Sequence, residues 1–107
     1  MGMFGLARRF ERVPVTLPVT GWTTQFQGTA LPGTVRYLSE GGLMVEFPVE
    51  LTRGSLVRLA LPTRQGALEV EGTVVWIAFL GSVIQHGVAF LEPKGADFIK
   101  RVTGETR

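Results

Sequence analysis

Arg8, Arg9 and Arg12 stand within five positions in the stretch RRFER (8–12), and Ser39 and Gly42 stand three apart in YLSEGG (37–42). A guanidinium group offers a planar fork of donors that grips phosphate oxygens in pairs, and a flat face that stacks on a base. A serine hydroxyl both donates and accepts hydrogen bonds. A glycine lets the backbone come close to a ligand. These types point to a site that binds, with arginine as its main tool. From composition alone, RRFER also reads as a solvated N-terminal arm and SEGG as a plain hairpin turn.

Catalytic chemistry is poorly supplied. The 107 residues include one His, one Asp, no Cys and no Asn. His86 lies in the strand-like IQHGVAF and reads as a structural or surface residue, because triad and metal chemistry need partners of the right type. A three-ligand zinc site would need His86 plus carboxylates at a supporting spacing, which is missing. The eight Glu are scattered and Asp97 falls in a helical stretch, so no acid/base couple stands out. There is no Walker loop. Without cysteine, a disulfide framework, a thiolate metal site and a cysteine nucleophile are excluded. The chain therefore reads as a binding protein, not an enzyme, with no cofactor and no metal.

The elements that must position these residues show mostly a period of two. In VPVTLPVT (13–20), Val13, Val15, Leu17 and Val19 alternate with Pro14, Thr16, Pro18 and Thr20, which predicts a half-buried strand. Its two prolines cannot donate to a ladder, so an edge strand is expected. GWTTQFQGTALPG (21–33) predicts a loop or an irregular strand. GTVRYL (33–38) and GLMVEF (42–47) predict two strands joined tightly by SEGG, whose glycines can take positive φ. Alternation puts Tyr37 on the face of Val35.

Further strands are predicted at SLVRLALP (55–62), ALEVEGTVVWIAF (67–79) and IQHGVAFLEP (84–93). In the second of these, Leu68, Val70, Val74 and Trp76 share one face and Glu69 and Glu71 the other. In the third, Val88 and Phe90 face the core. The tail, KGADFIKRVTGETR (94–107), predicts a helix, with Phe98 and Val102 four apart and Lys100 and Arg101 where the helix dipole favours cations. Six short strands separated by turn residues, followed by one helix, predict a mainly β fold: a small six-stranded antiparallel β-barrel with a C-terminal α-helix.

Composition sets the outer bounds. A chain of this length predicts one domain. Its 45% hydrophobic and 19% charged content is that of a globular protein. The net charge of +2 gives little support to general nucleic-acid binding. Nine of its eleven basic residues are Arg. MGMFGLARRF has apolar residues before charges, the reverse of a secretory signal, and Leu6 stands where a myristoylation motif wants Ser or Thr. The longest apolar run, VVWIAFLGSVI (74–84), is too short to span a bilayer. The expectation is a soluble cytoplasmic domain with no membrane insertion.

The order of these motifs resembles the PilZ domain family. That family carries RxxxR just before the first strand and (D/N)xSxxG at the turn between the second and third. A strand ending in VVW, a final strand of the GVxF type and a C-terminal helix follow. Here Arg8 and Arg12 have the RxxxR spacing with Arg9 beside them, Ser39 and Gly42 have the SxxG spacing, Val74–Trp76 is VVW, and Gly87–Phe90 is GVAF. The resemblance implies binding of cyclic di-GMP, a bacterial second messenger, and transfer of the signal to an unidentified protein partner. It implies a ligand set of Arg8, Arg9, Arg12, Tyr37, Ser39, Gly42 and Trp76. Residues 1–12 hold Arg, Gly and few core anchors, so a flexible arginine arm is expected there, ahead of a PilZ-like barrel with its helix, 13–107. Tyr37 departs from the pattern, standing where the family has Asp or Asn. Some PilZ-like proteins lack the binding residues and act as adaptors, for example in type IV pilus assembly. That is the alternative reading, ahead of a single-strand nucleic-acid binder.

Overall fold

The computed structural model describes residues 11–104. They form six strands, one turn of 3-10 helix and one α-helix: β1 (Val13–Thr23), the 3-10 turn (Thr24–Phe26), β2 (Leu31–Leu38), β3 (Gly42–Phe47), β4 (Leu56–Thr63), β5 (Gly66–Leu80), β6 (Val83–Phe90) and α1 (Ala96–Thr103). The strands close into an antiparallel barrel in the order β1-β2-β3-β6-β5-β4, with β4 returning to β1.

The six expected strands and the helix are all present. The edge-strand expectation for β1 needs correcting. β1 runs on to Thr23, and its last residues, Thr20–Thr23, pair with Ala60–Val57 of β4 while the strand pairs with β2 along its length. Closure is therefore made by the part of β1 that follows both prolines. Pro14 and Pro18 sit where only β2 is a partner, so their missing N–H groups leave the closing ladder intact.

Alternation fills the barrel. Val35, Val45, Phe47, Val57, Leu59, Leu61 and Val74 are at most 1% exposed. The helix stoppers one end with Phe98 and Val102, both buried, and the Phe98 ring meets Phe90 edge to face at 5.5 Å. Gly104 ends the helix in the left-handed conformation and returns its N–H to the Lys100 carbonyl. His86 is also fully buried. Its Nε2 accepts from the Leu51 N–H at 3.0 Å, and its ring meets Phe47 edge to face. An accepting Nε2 is a neutral imidazole, and burial holds its pKa below the ordinary value.

Two β-bulges overturn face assignments drawn from simple alternation. The β2–β3 register shifts between Val35 and Tyr37, and the β5–β6 register shifts between Val74 and Trp76. An extra residue in a strand reverses the facing of everything beyond it. Val35 is therefore buried while Tyr37 is 40% exposed, and Val74 is buried while Trp76 is 38% exposed. Both aromatics face outward, on the wall of the barrel.

Candidate functional site

Those bulges assemble one row of residues on the outer wall. Tyr37 pairs with Met44, Met44 with Gly87, and Gly87 with Trp76. The row crosses β2, β3, β6 and β5, about 14 Å at the usual strand spacing. At one end, the Arg12 guanidinium lies over the Tyr37 ring, 5.4 Å from its centroid, within range of a cation–π contact. At the other, the Trp76 indole lies across Gly87. A Cβ on Gly87 would fall 2.0 Å from Trp76 Nε1, so only glycine leaves room for the ring there.

Beside this row is the turn from Ser39 to Gly42. The Ser39 hydroxyl donates to the Gly42 carbonyl and accepts from the N–H groups of Gly41 and Gly42, each at 3.2 Å. One donor and two acceptor sites are thus all in use. Ser39 shapes the turn, and its hydroxyl has nothing left over for a ligand while the turn is intact. Neither glycine of the turn takes positive φ, in contrast to the expectation from SEGG. Gly42 is instead required by contact: a Cβ would lie 2.2 Å from the Val88 carbonyl oxygen on β6. The turn is also tied to the end of β6 and the chain just beyond it, with the Phe90 N–H donating to the Gly41 carbonyl and the Lys94 N–H to the Glu40 carbonyl.

The next row down is polar. Glu46 accepts from Arg36 Nε at 3.1 Å through one oxygen and from Gln85 Nε2 at 3.3 Å through the other, and Arg36 Nη1 reaches Thr16 Oγ1 at 3.5 Å. The Glu46 side chain is only 11% exposed, so its charge is matched within the wall. Arg36 is consequently neutralised, whereas the Arg12 guanidinium rests on a ring and makes no ion pair with a carboxylate among the described residues.

The structure thus brings Arg12, Tyr37, Ser39, Gly42 and Trp76 onto one wall of the barrel. Arg8 and Arg9 lie outside the described residues. Sequence reasoning passed over Met44, which is 9% exposed at the middle of the row, and the Arg36–Glu46–Gln85 network. A signal for Met44 existed: Glu46 is the one charge in GLMVEF, and period two places Met44 on its face. Arg36 had none, because it sits in the bulge. Among the described residues no group of three or more His, Asp or Glu could hold a metal ion, and no helix is long and apolar enough to cross a membrane.

The family model for the PilZ domain matches residues 7–103. Among solved structures, the chain is similar to the Bacillus subtilis inhibitor of motility MotI/DgrA, with a TM-score of 0.68 at 17% identity over 91% of this chain and 48% of that one. This chain spans about half the length of that protein. It is similar to the PilZ domain of Escherichia coli YcgR with c-di-GMP, with a TM-score of 0.65 at 18% identity over 90% of this chain and 86% of that one. It is also similar to the PilZ domain of CeSA from a cellulose-synthesizing bacterium, with a TM-score of 0.60 at 18% identity over 91% of this chain and 99% of that one. Likeness at this identity is likeness of fold. No curated protein matches the chain in sequence.

Proposed function

The chain belongs to the PilZ domain family, and from that premise we propose that it is a receptor for cyclic di-GMP that relays binding to a protein partner. The observation that carries the reading is the Arg12 guanidinium, held 5.4 Å over Tyr37 on the same wall as the Ser39–Gly42 turn and Trp76. An arginine seated on an aromatic ring, above a flat and partly apolar floor, suits an anion that carries planar bases.

In this reading Arg12, with Arg8 and Arg9 from the segment 1–12, grips the phosphates and stacks on the bases. Tyr37 supports Arg12 from below and adds an aromatic face. Ser39 and Gly42 hold the turn close to β6, so that the floor stays flat. Trp76 closes the far end of the row. Charge-assisted hydrogen bonds contribute about 1.5–3 kcal/mol each. Arg12→Ala should therefore weaken binding about ten- to a hundredfold while leaving the barrel's stability nearly unchanged, because Arg12 is exposed. Calorimetric titration of both proteins tests this. Equal affinity in the two would remove Arg12 from the site.

The relay needs a surface of its own. Phe79 and Leu80, at the tip of the β5–β6 hairpin, are 67% and 57% exposed, the two most exposed large apolar residues among those described. They continue the strand that carries Trp76. A cytoplasmic location goes with this reading. The same exposed tip favours the second reading, a PilZ-like adaptor, related to type IV pilus assembly, in which Tyr37 fills the ligand slot. An adaptor would give weak or no heat with cyclic di-GMP.

A further inference from the structure

β5 is longer than its neighbours can cover. Its first part, Gly66–Thr73, pairs with β4, and Val74 exchanges backbone hydrogen bonds with Gly54 and Ser55. Beyond Val74, its partner is β6 alone among the described residues. The edge of β5 away from β6 is thus open from Trp76 to Leu80.

The hairpin turn fixes which backbone groups lie on that edge. Leu80 pairs with Val83 around a two-residue turn, with Gly81 at φ +62° in its first position. In such a turn the closing pair exchanges both hydrogen bonds. Hydrogen-bonded pairs then alternate down the ladder, and Trp76–Leu80 runs in unbroken register with Gly87–Val83. Leu80, Ala78 and Trp76 therefore point their backbone groups at β6. Ile77 and Phe79 point theirs outward, where no group among the described residues receives them. Open edges are ordinarily guarded by lysine, proline or an inward charge. The stretch Trp76–Ile84 carries no charge and no proline.

We propose that this edge is a self-association surface, on which β5 of a second copy pairs antiparallel about a two-fold axis through Ala78. The register follows from the positions of the four open groups. Setting Ala78 opposite its twin places Ile77 opposite Phe79 of the other copy, and the reverse. The two Ile77–Phe79 pairs then form four backbone hydrogen bonds and satisfy every open group on both edges. The axial pair is of the kind without hydrogen bonds, where Cα atoms approach to about 4.5 Å, and it is filled by alanine. Trp76 comes opposite Leu80, and Ile77 opposite the exposed Phe79, so apolar side chains meet on both faces of the new ladder. A second copy fits better than an unrelated strand because this edge is its own complement in hydrogen bonding, size and absence of charge. The edge is short against the roughly 800 Å² per partner of a standard interface, so the association is weak and concentration-dependent.

The test uses the full chain over about 0.05–1 mM, a range suited to a weak interface, read by sedimentation and by residue-resolved amide exchange. A dimer fraction should rise across that range, and exchange at Ile77 and Phe79 should slow with it, while Ala78 and Leu80 stay protected throughout. Ala78→Lys puts two like charges face to face at the axis and should weaken association about tenfold or more. Ala78→Glu should do the same, and mixing the two variants should restore it. A monomer at every concentration, or concentration-independent exchange at Ile77 and Phe79, overturns the proposal. So does a dimer that Ala78→Lys leaves intact. Should a lysine there unsettle the hairpin, the exchange measurement on the unmodified chain still decides.

Discussion

Gly42→Ala is the substitution for which the structure gives the firmest magnitude. The added Cβ falls 2.2 Å from the Val88 carbonyl oxygen and 3.2 Å from Ala89 Cα, all backbone atoms of β6, so no side chain can turn aside to admit it. A carbon and a carbonyl oxygen settle at about 3.3 Å. β3 and β6 must therefore separate by about 1 Å at this point. The Phe90 N–H to Gly41 carbonyl bond, now 2.9 Å, would stretch out of range, and the 2.7 Å bond from Lys94 to Glu40 sits on the same tether. Two lost bonds at about 1 kcal/mol each, plus at least one buried group left unpaired, come to about 3 kcal/mol. For a domain of this size that is a fall in Tm of roughly 12–25 °C. Thermal and urea unfolding followed by circular dichroism give the number. Gly95→Ala, where an added Cβ meets nothing within 4 Å, is the control and should cost no more than about 1 kcal/mol, the loss from placing alanine at the helix N-cap. A loss below about 1 kcal/mol for Gly42→Ala would refute the close-contact reasoning, since ordinary surface changes stay within about half that.

Gly87→Ala offers a contrast, because the three atoms nearest its new Cβ all belong to the Trp76 side chain. The indole should swing into water, with a red shift of its fluorescence and a stability cost of about 1 kcal/mol. An unshifted spectrum in a Trp22→Phe background would show that the ring does not lie across the glycine. His86 is neutral and its pKa is lowered by burial, so the unfolded chain binds more protons. Stability should be full above the unfolded value of 6.5 and fall as the pH drops toward the lower folded value. Urea midpoints should fall between about pH 7 and about pH 5.5, and His86→Gln should flatten the change. Phe98→Ala should cost about 3–5 kcal/mol on chemical denaturation, the range for truncating a buried ring. The ring is 6% exposed and stoppers the barrel.

The fold was legible because its strands follow period two closely. GLMVEF coincides with β3, and the four-residue step from Phe98 to Val102 marks the buried face of the helix. What could not be read was set by distant pairing. The bulges beside Arg36 and Val75 arise from how three strands fit together, and alternation alone sends both Tyr37 and Trp76 inward. The same limit hid the reach of β1, where GWT (21–23) reads as a loop or an irregular strand until β4 comes to pair with it. At the site, residue types announced the binding chemistry, but the division of labour needed geometry. Ser39 proved to be engaged wholly within its own turn, and Arg36, as basic as Arg12, is matched by Glu46.

The wall that joins Arg12, Tyr37 and Trp76 either takes the messenger or does not. Isothermal titration of the full chain with cyclic di-GMP, beside linear GpG and GTP, measures that. The account predicts saturable heat with the cyclic compound at ligand concentrations up to tens of micromolar, about 7 kcal/mol of binding or more, and markedly weaker binding of the linear compounds. No heat and no competition from cyclic di-GMP in that range would contradict it and leave the adaptor reading in its place.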